Sequence, residues 1–186
     1  MVGVYPIRTF HKHLKTVMSK ISDPHTFLKN LLVKKGKSDL EGVILTGVNI
    51  SADALSDYEY EISQDIVEKD IRTIFEKERA KWDRFLVNIR SNPHEMIYPI
   101  TFRRDFDEVT VFFLTTLYDI SCLVFVPAVV LDEFEYEVAV FQKILKEVAS
   151  FASRTPDSIK FTIGMAMTSW DEMVELGHAE EIEIPN

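Results

Sequence analysis

The residue types that could do chemistry in this chain are few. Arg103 and Arg104 stand side by side, with Asp105, Asp107 and Glu108 just beyond them. A planar guanidinium holds phosphate through paired hydrogen bonds, so two adjacent arginines are a candidate phosphate contact. The neighbouring carboxylates would suit acid–base work only if burial moved their pKa values, and a charged run on a turn is ordinarily solvated. Cys122 is the single cysteine and has no partner for an intramolecular disulfide. It lies inside the apolar run ISCLVFVPAVVL, where a free thiol behaves as a small hydrophobe rather than a nucleophile. The five histidines are scattered; only His11 and His13 are close, so no metal site and no cofactor is expected. Gly42 and Gly47 have a four-residue gap but are followed by Val48-Asn49, which is not a phosphate-binding loop.

These residues must be positioned by a chain of 186 residues, of which 46 % are hydrophobic and 27 % charged. That composition suits one soluble globular domain, and no apolar run approaches the ~20 residues of a membrane helix. The first fifteen residues lack the pattern of a secretory signal, which argues for a cytoplasmic protein. Net charge is −9 but uneven. Residues 1–40 hold eight Lys/Arg against Asp23 and Asp39, or +6, leaving −15 for residues 41–186. The acidic body repels nucleic acid, so only the basic N-terminal segment could recruit it.

Apolar residues at helical spacing (Ile7, Phe10, Leu14, Val17, Ile21) predict an amphipathic helix, and Asp23-Pro24 opens a second, closed by Gly36. This is an N-terminal helical pair. Glu41–Ile50 reads as a strand with a bulge at its glycines, and Ser51–Glu61 as a surface loop in which Tyr58 and Tyr60 form a short strand. A long helix is predicted over 63–91, stopped by Asn92-Pro93. Met96–Phe102 follows as a strand, with Pro99 suggesting an edge. Arg103 and Arg104 then fall in a charged turn. VTVFFLTTL and ISCLVFVPAVVL form a hairpin about Tyr118-Asp119, apolar enough to be buried on both faces, with Pro127 implying an edge or bulge. A helix over 132–153, a turn at Thr155-Pro156-Asp157 and the strand SIKFTIGM complete a strand–helix–strand unit. A short helix over 170–176 and the alternating EEIEIPN end the chain. The expected fold is α/β or α+β: a mixed sheet of about five or six strands carrying the helices 63–91 and 132–153.

The order of Asn92-Pro93, strand Ile120–Val126, helix Glu137–Ala149 and the run Pro156–Met167 with Gly164 resembles the thymidylate synthases and the related pyrimidine hydroxymethylases. The resemblance covers residues 82–170, about half the chain, and lies in topology more than motifs. It implies a thymidylate-synthase-like fold and, from that family's back-to-back sheets, a homodimer. It does not carry the chemistry. No cysteine or histidine stands near Asp107–Thr110, where the family keeps its nucleophile. Pro127-Ala128 replace its phosphate-binding Arg-Ser, and Met165, Met167 and Ser169 replace its Asp, His and Tyr. The expectation is therefore a non-catalytic structural, regulatory or binding subunit. The alternative is a pyrimidine-nucleotide-binding protein or enzyme with a rebuilt site near Arg103, Arg104 and Glu137.

Overall fold

The computed structural model describes residues 23–39, 42–58, 60, 62–104 and 107–168. The helix expected over 7–21 and the two C-terminal elements lie outside these residues. The elements are α1 (Pro24–Lys35), β1 (Lys37–Asp39), β2 (Gly42–Asp53), α2 (Gln64–Lys77), α3 (Arg79–Ser91), β3 (Ile97–Arg104), β4 (Asp107–Thr115), β5 (Asp119–Val130), α4 (Leu131–Ala152) and β6 (Thr155–Thr168). Five long strands form one mixed sheet, and the three-residue β1 extends its edge in the order β1-β2-β6-β5-β4-β3. Neighbours are antiparallel except β5 and β6, which run parallel and are joined by α4. The strand–helix–strand unit read from the sequence is thus the centre of the fold.

Among the described residues the helices cover one face of the sheet only, which differs from the expectation that the hairpin strands are buried on both faces. The cross-strand row Ile100, Val111, Val124, Phe161, Ile50 is buried throughout. The next row, Pro99, Phe112, Leu123, Lys160, Ser51, points the other way and is exposed or half-exposed. Alternation along a strand sends successive side chains to opposite faces. The near-continuous apolarity of β4 and β5 therefore loads both faces, but the described helices cover one. On that face Phe161 meets Phe134 and Phe141 of α4 edge-on, with ring centroids 5.3 and 5.9 Å apart. Trp82 of α3 packs against Phe75, Phe85 and Phe102, carrying the core out over β3.

The single helix expected over 63–91 is two helices. The break is at Glu78, whose φ of −126° and ψ of 38° are not helical. Its backbone carbonyl still accepts the N–H groups of Lys81 and Trp82, opening α3. Apolar periodicity runs through the break because both helices face the same core, so spacing alone cannot reveal it. Pro156 and Asp157 are likewise strand residues rather than a turn. The reversal after α4 is made by Ser153 in the left-handed region (φ 54°), with the Arg154 N–H returning to the Ala149 carbonyl. Tyr58 and Tyr60 do not form a strand; their rings stack at 5.4 Å.

Pro127 lies beyond Phe125, the last β5 residue paired with β4, so on that side the strand is locally an edge. On its other side the registers place Pro127 beside Gly164, which in turn faces Gly47, and both ladders are paired on either side of this row but not at it. Gly47 has φ +68°, where a side chain would be strained. A Cβ on Gly164 would lie 2.6 Å from the Pro127 carbonyl oxygen. Gly164→Ala is therefore expected to lower stability by about 1–3 kcal/mol, because backbone must move to admit the methyl. Urea unfolding checks this, and an unchanged midpoint would refute it.

Candidate functional site

Arg103 and Arg104 are the last residues of β3, not loop residues. They sit on the edge strand, as Pro99 suggested, and Glu78 and Lys81 at the start of α3 bond two of its outward-facing backbone groups. The Arg103 N–H donates to Glu78 Oε1 at 3.2 Å. Lys81 Nζ donates to the Thr101 carbonyl at 2.7 Å and also contacts Glu78 Oε2. The Lys81 ammonium, aided by the Arg103 N–H, holds the Glu78 carboxyl below its ordinary value. Pro99 has no N–H to offer, so three of the four outward-facing residues of this strand are blunted against another strand.

The topology puts Arg103, Arg104 and Glu137 at one end of the sheet, because β3 runs parallel to β5 and α4 begins where β5 ends. Arg103 is exposed and Glu137 is half-buried in the second turn of α4. The bond shown for Arg103 runs to Glu78. Asp107 opens β4 opposite Arg104 in the backbone register, Glu108 is exposed beside it, and Asp105 lies outside the described residues. Cys122 is 1 % exposed, and burial pushes its thiol well above the ordinary value, which removes it as a thiolate nucleophile. Among the described residues no group of three or more His, Cys, Asp or Glu could hold a metal ion, and no helix is long and apolar enough to cross a membrane.

The best-organised polar cluster was not apparent in the sequence. Asp23 caps α1, accepting the Thr26 N–H at 2.9 Å, and it also accepts the Tyr60 hydroxyl at 2.7 Å. His25 Nδ1 lies 3.1 Å from Glu135 Oε1 on α4. Gln142, buried on α4, donates to the carbonyls of Asp53 and Ser56 at 2.7 and 3.1 Å. Together these bonds tie α1 and the loop after β2 to α4. The capping Asp was legible; its second partner, 37 residues away, required the fold.

The chemistry of this cluster is structural. Burial, and then the bond to Asp23, push the Tyr60 hydroxyl far above its ordinary value, so it stays protonated and donates. Burial acts to raise the Asp23 carboxyl, but the bonds from Tyr60, Thr26 and His25 prevail and hold it below 3.8. A depressed carboxyl pKa gives stability that is present above 3.8 and lost as pH falls through the lower folded value. Tyr60→Phe is expected to cost about 1 kcal/mol at neutral pH, and the gap to the parent should narrow below pH 3.8. Urea unfolding across pH checks it; a gap that widens on acidification would contradict it.

The remaining candidate is the open face of the sheet. Its β3–β4–β5 half carries Ile97, Phe112 and Phe125, which are 52 %, 37 % and 48 % exposed. Leu114 and Leu123 lie among them. The β6–β2 half is polar and bonded to itself: Thr162 to Asn49 at 3.0 Å, and Ser121 and Ser158 to Asp157 at 3.0 and 3.1 Å. No family model matches the chain, and no curated protein matches it.

Proposed function

We propose that the protein is a non-catalytic, thymidylate-synthase-like binding or structural subunit that works as a homodimer joined through the open faces of its sheets. The observation that carries this reading is the apolar half of that face. Contiguous exposed apolar surface on a folded domain marks an interaction site more often than isolated exposed side chains do. A second copy is the fitting occupant because a two-fold interface needs one self-complementary patch, and two sheets pack face to face about 10 Å apart. The parallel pair β5–β6, the crossover α4 and Gly164 packed on the Pro127 carbonyl support the family likeness. Burial of Cys122 supports the absence of the family's thiolate chemistry. Size-exclusion chromatography with light scattering should give twice the mass of the chain at micromolar concentration. A monomer under those conditions would overturn the reading.

The alternative, a pyrimidine nucleotide held by Arg103, Arg104 and Glu137, is supported only by the common end of the sheet to which these residues belong. A nucleotide that binds the folded state alone raises the unfolding temperature by mass action. No shift at millimolar nucleotide would dismiss it.

A further inference from the structure

We infer that Glu78 and Lys81 form a latch that withholds the β3 edge from a further strand, and that opening the latch lets the β3 edges of two copies pair. β3 is the last strand of the sheet on its side, so one row of its backbone groups faces away from β4. Alternation along the strand puts Ile97, Pro99, Thr101 and Arg103 in that row. The Met96 carbonyl turns inward to the Thr115 N–H, whereas the Thr101 carbonyl and the Arg103 N–H turn outward. Pro99 brings no donor to the row. The Thr101 carbonyl accepts Lys81 Nζ at 2.7 Å, and the Arg103 N–H donates to Glu78 Oε1 at 3.2 Å. Glu78 Oε2 is paired with the same Lys81 ammonium, so the two bonds are joined through one ion pair into a single clasp on the edge. Both side chains leave from one place: Glu78 is the non-helical residue between α2 and α3, and Lys81 stands in the first turn of α3. The Lys81 side chain is 43 % exposed, so water reaches the clasp and it can open without disturbing the core. The outward N–H groups of Ile97 and Thr101 have no partner among the described residues. An edge with such groups pairs with any extended strand that reaches it. A second copy is the fitting occupant, because two antiparallel β3 edges related by a two-fold axis present the same groups to each other. The edge is distinct from the open face, so this pairing stands or falls separately from the dimer proposed above.

Amide hydrogen exchange, corrected for intrinsic rates, tests the latch in the parent protein. The Arg103 N–H should exchange about tenfold more slowly than the Thr101 N–H, although Thr101 lies nearer the middle of the strand. In Glu78→Ala that difference should vanish. Light scattering then tests the consequence. Glu78→Ala combined with Lys81→Met should give at least about twice the mass of the parent at about 100 μM, whatever the parent's own state. Adding Arg103→Pro, which removes the outward donor again, should restore the parent's mass. Equal exchange of the two amides in the parent would mean that there is no latch. A double variant with the parent's mass would overturn the inference, and so would an increase in mass that Arg103→Pro leaves in place.

Discussion

Phe112→Glu combined with Phe125→Glu is expected to dissociate the proposed homodimer into monomers while leaving the protomer folded. Both rings stand on the open face, on neighbouring strands, where Phe112 opposes Leu123 and Phe125 opposes Thr110. Burying a phenylalanine contributes about 1.5–3 kcal/mol, and a two-fold interface counts each substitution twice. Glutamates would remove that contribution and place like charges against one another across the axis. Dissociation should therefore rise by at least about a thousandfold. Neither ring touches the buried row of the sheet, so the cost to the protomer should be within about 1 kcal/mol, the scale of strand-propensity changes. Light scattering and urea unfolding on the same samples separate the two effects. A variant that stays dimeric would place the interface elsewhere; a variant that unfolds would mean this face is covered within the protomer.

Phe161→Ala is expected to do the opposite, costing about 3–5 kcal/mol of stability. That is a large part of the ~5–15 kcal/mol that holds a typical domain. Phe161 is 1 % exposed, pairs with Val124 on one side and Ile50 on the other, and meets two rings of α4. Its removal empties the junction of sheet and helix, where two strands and one helix cannot all move inward. The contrast with Phe112 is the instructive part. Both are phenylalanines in apolar strand runs, and only the cross-strand registers place one in the core row and the other on the open face. A loss below about 1 kcal/mol for Phe161→Ala would mean that the core can collapse around the gap.

How much of this was legible can be argued residue by residue. Asp23-Pro24 capped a helix and Gly36 closed it, because capping acts over one turn. The helix expected over 132–153 is Leu131–Ala152, since ten buried side chains along it keep the helical period. The hairpin about Tyr118-Asp119 formed as read, with the Thr116 hydroxyl accepting the N–H groups of Tyr118 and Asp119. Pro99 marked the edge strand. The break at Glu78 was not legible, because the apolar spacing runs through it and the Arg103 N–H that its carboxylate accepts is 25 residues away. Of the candidate site, Arg103, Arg104 and Glu137 were read from charge and resemblance, whereas the tie of Tyr60 to Asp23 depends on a contact between distant elements.

By itself the sequence determined the local elements and the central strand–helix–strand unit, because periodicity, caps and turn residues act within a few positions. The tertiary structure decided which face of each strand is covered, since that depends on cross-strand registers and on where the helices lie. It also decided that Pro127, Gly164 and Gly47 share one row, and that Arg103 meets Glu78. For β4 and β5 the composition suited burial on both sides, and the described helices cover one, leaving the surface from which a partner is proposed.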